Sequence, residues 1–308
     1  MTQSPILFLI FNRLDSATRV FKAIRMAQPG RLYLAADGPR PSKLGEAEKT
    51  LAVRSRILEM VDWPCTVKTL FRTENLGCAI AVSQAITWFF EQEESGIILE
   101  DDCVASQDFF KLCDDLLLKY STDSAIAAIS GTNISDDMKS VDSSYFFSLL
   151  GGNWGWASWR REWKKYKLDI NADLTLENIE KICDNLGDRK AAIVLLKEMR
   201  AALANPKISA WDYQWLFLRL LHNKVTIIPR SNLISNIGFG DDSTHTAGAE
   251  HPLARLPVGS LKWPLLHPSS IIPNRKFDSE YLRFRAKGIP LHTKFLTSFK
   301  RRLAKYVS

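Results

Sequence analysis

Cysteine is sparse in this chain: five residues in 308, Cys65, Cys78, Cys103, Cys113 and Cys183, an odd number with no CxxC spacing and no Cys/His pairing. That argues against a disulfide framework and favours reduced thiols, as in a cytoplasm. Long apolar runs are also missing. "PILFLIF" at residues 5–11 is too short to span a bilayer, and no basic region precedes it as in a signal peptide. The expected location is therefore cytoplasmic. Neither sign of charge dominates, since 41 Lys+Arg against 34 Asp+Glu give a net charge of +7. This suits anionic small molecules but is too mild for a nucleic-acid partner, and none is expected. Repeats and low-complexity tracts are absent, and His222, His251, His267 and His292 show no metal-ligand spacing.

What is present is an ordinary core-forming composition, 46% hydrophobic and 24% charged, long enough for one large domain or two small ones. Over the first 130 residues two periodicities alternate. Apolar runs at 6–11, 31–37, 66–71, 96–100 and 125–130 read as buried strands. Between them lie helical patterns, the first placing Leu14, Ala17, Val20, Phe21 and Ile24 on one face. Apolar strands separated by helices predict a mainly parallel sheet covered on both faces, with the strands' carboxyl ends along one edge. Beyond residue 130, helices are expected over 174–203 and 210–222 and one more strand over 224–229.

The stretch "SGIILEDDCVASQDFF" (95–110) runs from an apolar strand straight into Glu100, Asp101 and Asp102. Adjacent carboxylates repel, and burying them is costly without cations or donors. A hard divalent ion, Mg²⁺ or Mn²⁺, resolves the conflict by taking one or two carboxylates plus phosphate oxygens. A solvated turn, or a helix start decorated with acids, accounts for the triplet equally well on its own. The neighbouring strand ends tilt the balance. Phe11-Asn12-Arg13 ends the first strand, Asp37 the second, and Asn75 and Gly77 follow the third. Together they offer a base-and-ribose reader, a tight turn and an acidic metal site on one edge, where open α/β sheets bind ligands.

The chain resembles the GT-A fold of nucleotide-sugar glycosyltransferases, and within it the N-acetylglucosaminyltransferase I type. The likeness rests on Glu100-Asp101-Asp102 at a strand end, Asp108-Phe109-Phe110 shortly after, "WDYQW" (211–215), an "IIP" strand end and a Gly-rich loop (236–246). A bacterial relative from polysaccharide or lipopolysaccharide synthesis is the nearer likeness. The resemblance implies Asp102 as the metal ligand, with Glu100 and Asp101 on donor sugar and ribose. It also implies Asp37 at the base edge, Arg13 near the nucleotide and Asp212 as the general base. The chain then divides into a nucleotide-sugar half (1–130), an acceptor-side, α-rich half of the same domain with base and lid loop (131–250), and a C-terminal extension (251–308).

In "GGNWGWASWRREW", Trp156, Trp159 and Trp163 at spacings of three and four fit a core helix. Trp154 and Trp156 alternatively form an aromatic wall for a sugar, with Gly151, Gly152 and Gly155 allowing close backbone approach. The loop "GFGDDSTHT" has a lid's composition, and its His245 either reaches the diphosphate or is simply solvated. The last fifteen residues form a basic amphipathic pattern that would either lie on an anionic membrane face or dock on the domain. The leading expectation is a metal-dependent inverting glycosyltransferase, using a nucleotide-diphosphate sugar (a UDP-sugar above others) and a glycan or lipid-linked acceptor. The alternatives are a sugar-1-phosphate nucleotidyltransferase, ranked lower because "FNRLDSATR" lacks a Gly-rich phosphate loop, and a non-catalytic nucleotide- or carbohydrate-binding protein.

Overall fold

The computed structural model describes residues 1–135, 141–205, 210–239 and 256–287. The first half follows the alternation read from the sequence: β1 (Ile6–Ile10), α1 (Leu14–Ala27), β2 (Arg31–Ala36), α2 (Glu46–Glu59), β3 (Thr66–Phe71), α3 (Cys78–Gln92) and β4 (Ser95–Glu100). A short β5 (Cys103–Ala105), α4 (Gln107–Lys119) and β6 (Ile126–Ser130) complete it. The second half contributes β7 (Tyr145–Ser148), β8 (Trp156–Trp159), α5 (Arg160–Trp163), α6 (Leu176–Leu186), α7 (Arg189–Ala204), α8 (Asp212–Leu221), β9 (Val225–Pro229), β10 (Ile234–Asn236) and α9 (Arg275–Lys287).

Eight strands form one sheet in the order β3-β2-β1-β4-β8-β6-β9-β7, and β10 pairs with β5 in a separate ribbon. Pairs β2/β3, β1/β2, β1/β4 and β6/β9 are parallel, while β8 and β7 run against their neighbours. The architecture is thus mixed α/β and Rossmann-like, with a mostly parallel sheet. Because β8 lies between β4 and β6, the two halves of the chain share a single sheet. Helices cover both faces, and the strand pleat divides the core accordingly. Ile6, Phe8 and Ile10 of β1 join one apolar cluster, and Leu7 and Leu9 join the other.

Two expectations are corrected. Trp156 and Trp159 lie on a strand, and only Trp163 is helical. Their spacing spans a strand-to-helix junction at Arg160, so a helical period was read across two elements. The helix expected over 174–203 is two, because Gly187 adopts φ +74° at the end of α6, a conformation that closes a helix and favours glycine. Among the described residues no helix is long and apolar enough to cross a membrane. The basic C-terminal pattern, and the Gly-rich loop from residue 240 on with its His245, lie outside the described residues.

Candidate functional site

Since β1, β2, β3 and β4 are parallel, their carboxyl ends share an edge. Arg13, at the N-terminus of α1, reaches across this edge to pair with Asp101 and, at 3.0 Å, with Oδ2 of Asp102. The Phe11 amide also donates to the Asp101 carboxylate. Asp101 is nonetheless buried, with one carboxylate oxygen that no donor among the described residues meets. Its pKa is pushed up to about 6, by burial first and by Asp102 as well, with Arg13 opposing. Glu100 is pushed up to about 8 by burial, then by Asp102, Asp212 and Asp101, against Arg13. Asp212, the first residue of α8, therefore lies within electrostatic reach of Glu100 although it comes from the other half of the chain. The same field, after burial, drives the Cys78 thiol up to about 12.

Beside this cluster the strand-end loops are locked to one another. Asp37 accepts hydrogen bonds from the backbone N–H groups of Gly38, Leu76 and Gly77 and from Nδ2 of Asn75. Gly38 is forced by close approach, because a Cβ there would collide with the backbone of Glu74. Asn75 also donates to the Gly38 carbonyl at 2.7 Å. Expected as a base reader, Asp37 in this arrangement shapes the floor of the edge by tying the loop after β3 to the end of β2.

Glu46 is a residue that sequence reasoning missed. It is buried at the start of α2 and accepts from Asn12 Nδ2 at 2.9 Å and from the backbone N–H and guanidinium of Arg40. These contacts hold its carboxyl down to about 2, the Arg40 hydrogen bond contributing most. The Arg40 guanidinium in turn lies 5.5 Å from the centre of the Phe11 ring. Glu46 thereby fixes both Asn12 and the cation beside Phe11. An acid in the first turn of an amphipathic helix carries no mark of this in sequence.

The segment after β10 closes on the acidic cluster. The Ile237 amide donates to the Asp102 carbonyl at 2.8 Å, and Gly238 rests against the Asp102 carboxylate. Trp154 is half-buried and meets Phe239 edge to face at 5.5 Å. Trp156 does not face a ligand, which corrects the expectation of an aromatic wall formed by both residues. Alternation along β8 turns it into the core, 1% exposed, against Trp163, Trp211 and Trp215. Asp108 acts at a distance from the edge: it accepts from the Leu261 amide and the Trp263 indole, pinning the segment around 261–263 to α4.

Among the described residues no three His, Cys, Asp or Glu side chains form a ready-made metal cage. A nucleotide-bound Mg²⁺ or Mn²⁺ does not require one, since it takes one or two carboxylates and fills its shell with phosphate oxygens and water. The cluster fits that description. Asp101 has an unmatched buried oxygen, Glu100 and Asp101 are protonated more readily than free carboxyls, and Asp102 shares a single arginine with Asp101. The edge thus holds more negative charge than Arg13 neutralises.

No family model matches the sequence, and no curated protein does either. Solved structures of similar fold include an inositol-1-phosphate CTP transferase from T. maritima, at 7% identity and TM-score 0.40, covering 77% of this chain and 91% of that one. Another is HddC from Yersinia pseudotuberculosis complexed with GMP-PN, at 14% identity and TM-score 0.32, over 56% and 87% of the two chains. A third is a UDP-glucose pyrophosphorylase complexed with UDP-glucose, at 8% identity and TM-score 0.30, over 53% and 79%. Likeness at this level bears on fold and does not reach mechanism. Two of these names are those of nucleotidyltransferases and none is that of a glycosyltransferase, so the expectation of a glycosyltransferase is corrected to an activity that these comparisons do not support. What stands is a Rossmann-like, mostly parallel α/β sheet with an acidic carboxyl edge.

Proposed function

We propose that this chain handles nucleotide sugars by nucleotidyl transfer, joining a nucleoside triphosphate and a sugar 1-phosphate at the carboxyl edge of β1, β2 and β4. One observation carries the reading: Glu100 at the end of β4, Asp101 and Asp102 in the turn after it and Asp212 from α8 share one electrostatic cluster with Arg13 at that edge. The chain lacks a glycine-rich loop after β1 to cradle a triphosphate with backbone amides. Its phosphate charge must therefore be met by cations. Asp102 would hold Mg²⁺ or Mn²⁺, with Glu100 and Asp212 nearby, and the bound ion would supply charge neutralisation of the phosphates and the leaving group.

In the transfer, a phosphate oxygen of the sugar 1-phosphate attacks the α-phosphorus. The bond from that phosphorus to the bridging oxygen breaks, and pyrophosphate leaves with the electron pair. The attacking oxygen is already ionised, so no base has to remove a proton. Arg13, once its aspartates are engaged elsewhere, is the side chain placed to hold phosphate oxygens. Asn12, Asp37, Asn75 and Gly77 form the floor on which the nucleoside would rest, with Phe11 beside it and Trp154 toward the sugar.

The test is a thermal-shift series with nucleoside triphosphates and nucleotide sugars with and without Mn²⁺, followed by a pyrophosphate-release assay with sugar 1-phosphates. Metal-dependent stabilisation and pyrophosphate release are expected, and Asp102→Ala should lose both. Stabilisation by no nucleotide would sink the site. Binding with release of a nucleoside diphosphate in place of pyrophosphate would sink the reaction class alone.

A further inference from the structure

Asp212 reaches the acidic edge from the other half of the chain, as the first residue of α8, and the like charge of Glu100 opposes that approach. On its own helix the buried Arg219 provides a counter-charge within electrostatic reach. We infer that Tyr166 is a positioning residue of this site, its hydroxyl fixing the peptide from which Asp212 departs. The inference rests on the reading of that edge as the active site.

A chain of contacts runs from α3 to α8 through this tyrosine. Trp163, at the end of α5, donates its indole N–H to Thr87 Oγ1 of α3 at 3.0 Å. The backbone then turns, the Tyr166 amide donating to the Trp163 carbonyl at 2.8 Å. That turn lays the phenol flat on the Trp163 indole, with ring centres 4.3 Å apart and planes 8° from parallel. From this platform the Tyr166 hydroxyl donates to the Trp211 carbonyl at 3.1 Å. A peptide group is planar, so holding that carbonyl also holds the amide and Cα of Asp212. The Trp211 side chain is gripped as well, buried and stacked on Trp156 at 5.6 Å.

Burial pushes the Tyr166 hydroxyl well above its ordinary pKa, with Asp212 and Cys78 adding to the rise and Ser83 opposing it. The group therefore stays a donor at neutral pH, within electrostatic reach of both Asp212 and the Cys78 thiol at the head of α3. The next residue of α8 is docked independently. The Tyr213 hydroxyl donates to Glu198 Oε1 at 3.1 Å, and Arg285 pairs with the same carboxylate. Loss of the Tyr166 hydroxyl thus loosens the turn that carries Asp212 and leaves the helix in place.

The experiment compares Tyr166→Phe, which keeps the stack on Trp163 and removes only the hydroxyl, with Asp212→Asn and with the double variant. The first readout uses the full chain without ligand: the rate at which iodoacetamide alkylates Cys78, followed by peptide mapping. Asp212 is among the groups that hold the Cys78 thiol up, so each single variant should speed alkylation. For Tyr166→Phe the expected gain is about threefold, within the span of one hydrogen bond. The double variant should be no faster than Asp212→Asn alone, because the hydroxyl acts through Asp212. The second readout is Mn²⁺-dependent affinity for nucleoside triphosphates, which Tyr166→Phe should weaken without adding to the loss in Asp212→Asn. A tyrosine that only packs would lower the melting temperature and leave both comparisons additive. That result overturns the inference, as does an alkylation rate that Tyr166→Phe does not move. If no nucleotide binds the unaltered chain while the alkylation comparison stays non-additive, the active-site reading fails and the tie between Tyr166 and Asp212 stands.

Discussion

At Gly238 the chain has no room for a side chain. A Cβ there would lie 2.9 Å from Cγ of Asp102 and closer still to its Oδ2. Gly238→Ala must therefore push the carboxylate assigned to the cation, while the surrounding core is left alone. The expected outcome is a small change in melting temperature with a loss of Mn²⁺-dependent nucleotide affinity or turnover of about 10²-fold, the scale of an ångström-sized misplacement. Calorimetric titration with and without Mn²⁺ checks it, and a variant that binds normally would remove Asp102 from the role. Glu46 allows a second prediction. Glu46→Ala frees Asn12 and Arg40 at once and should cost about 1–2 kcal/mol, discounted because the Arg40 side chain is partly exposed. The sign with pH follows from the depressed carboxyl. The contribution is present above the unfolded value of about 4.3 and is lost as pH falls through about 2. Acid denaturation of the two chains should therefore converge at the low end, which a urea melt at stepped pH reads.

Among the elements, α8 carries the most consequence, because it delivers Asp212 to a cluster built by β4. Asp212 is among the groups that raise Glu100, so Asp212→Asn should lower the Glu100 pKa in the metal-free chain. A ¹³C carboxyl titration of Glu100 reads this, and an unmoved Glu100 would separate the two halves of the site. Sequence and structure agree where an element's period is pure. All five residues of β1 are buried and apolar, which only a strand covered on both faces explains, and its position was legible. They part where a pattern crosses a boundary, as the tryptophans of β8 and α5 do. They part again where a partner lies far along the chain. Nothing local to Glu46 reveals Asn12, and the approach of Asp212 to Glu100 was foreshadowed through a resemblance whose chemistry the comparisons did not bear out. Strand ends were legible as an edge because parallel topology follows from the alternation of elements. The hydrogen bonds that lock Asp37 to the next loop were not, because they depend on how closely two loops pack.

Across the whole molecule, the acidic edge should set how stability depends on pH. Folding raises Glu100 from an unfolded value of about 4.3 to about 8 and Asp101 from about 3.9 to about 6, burial being the main cause. Both shifts mean that the folded chain binds more protons than the unfolded one between those limits. Stability of the metal-free protein therefore falls as pH rises through that window, opposite in sign to the contribution of Glu46. A divalent ion needs the carboxylates ionised, so its binding releases protons and its stabilising effect grows as pH rises. Melting temperatures across the window in EDTA and in Mn²⁺ should diverge steadily toward the alkaline side, and Glu100→Gln should flatten the EDTA curve. Parallel curves in the two conditions would mean that the ion binds away from these carboxylates. The excess negative charge of the edge would then need another explanation than a cation.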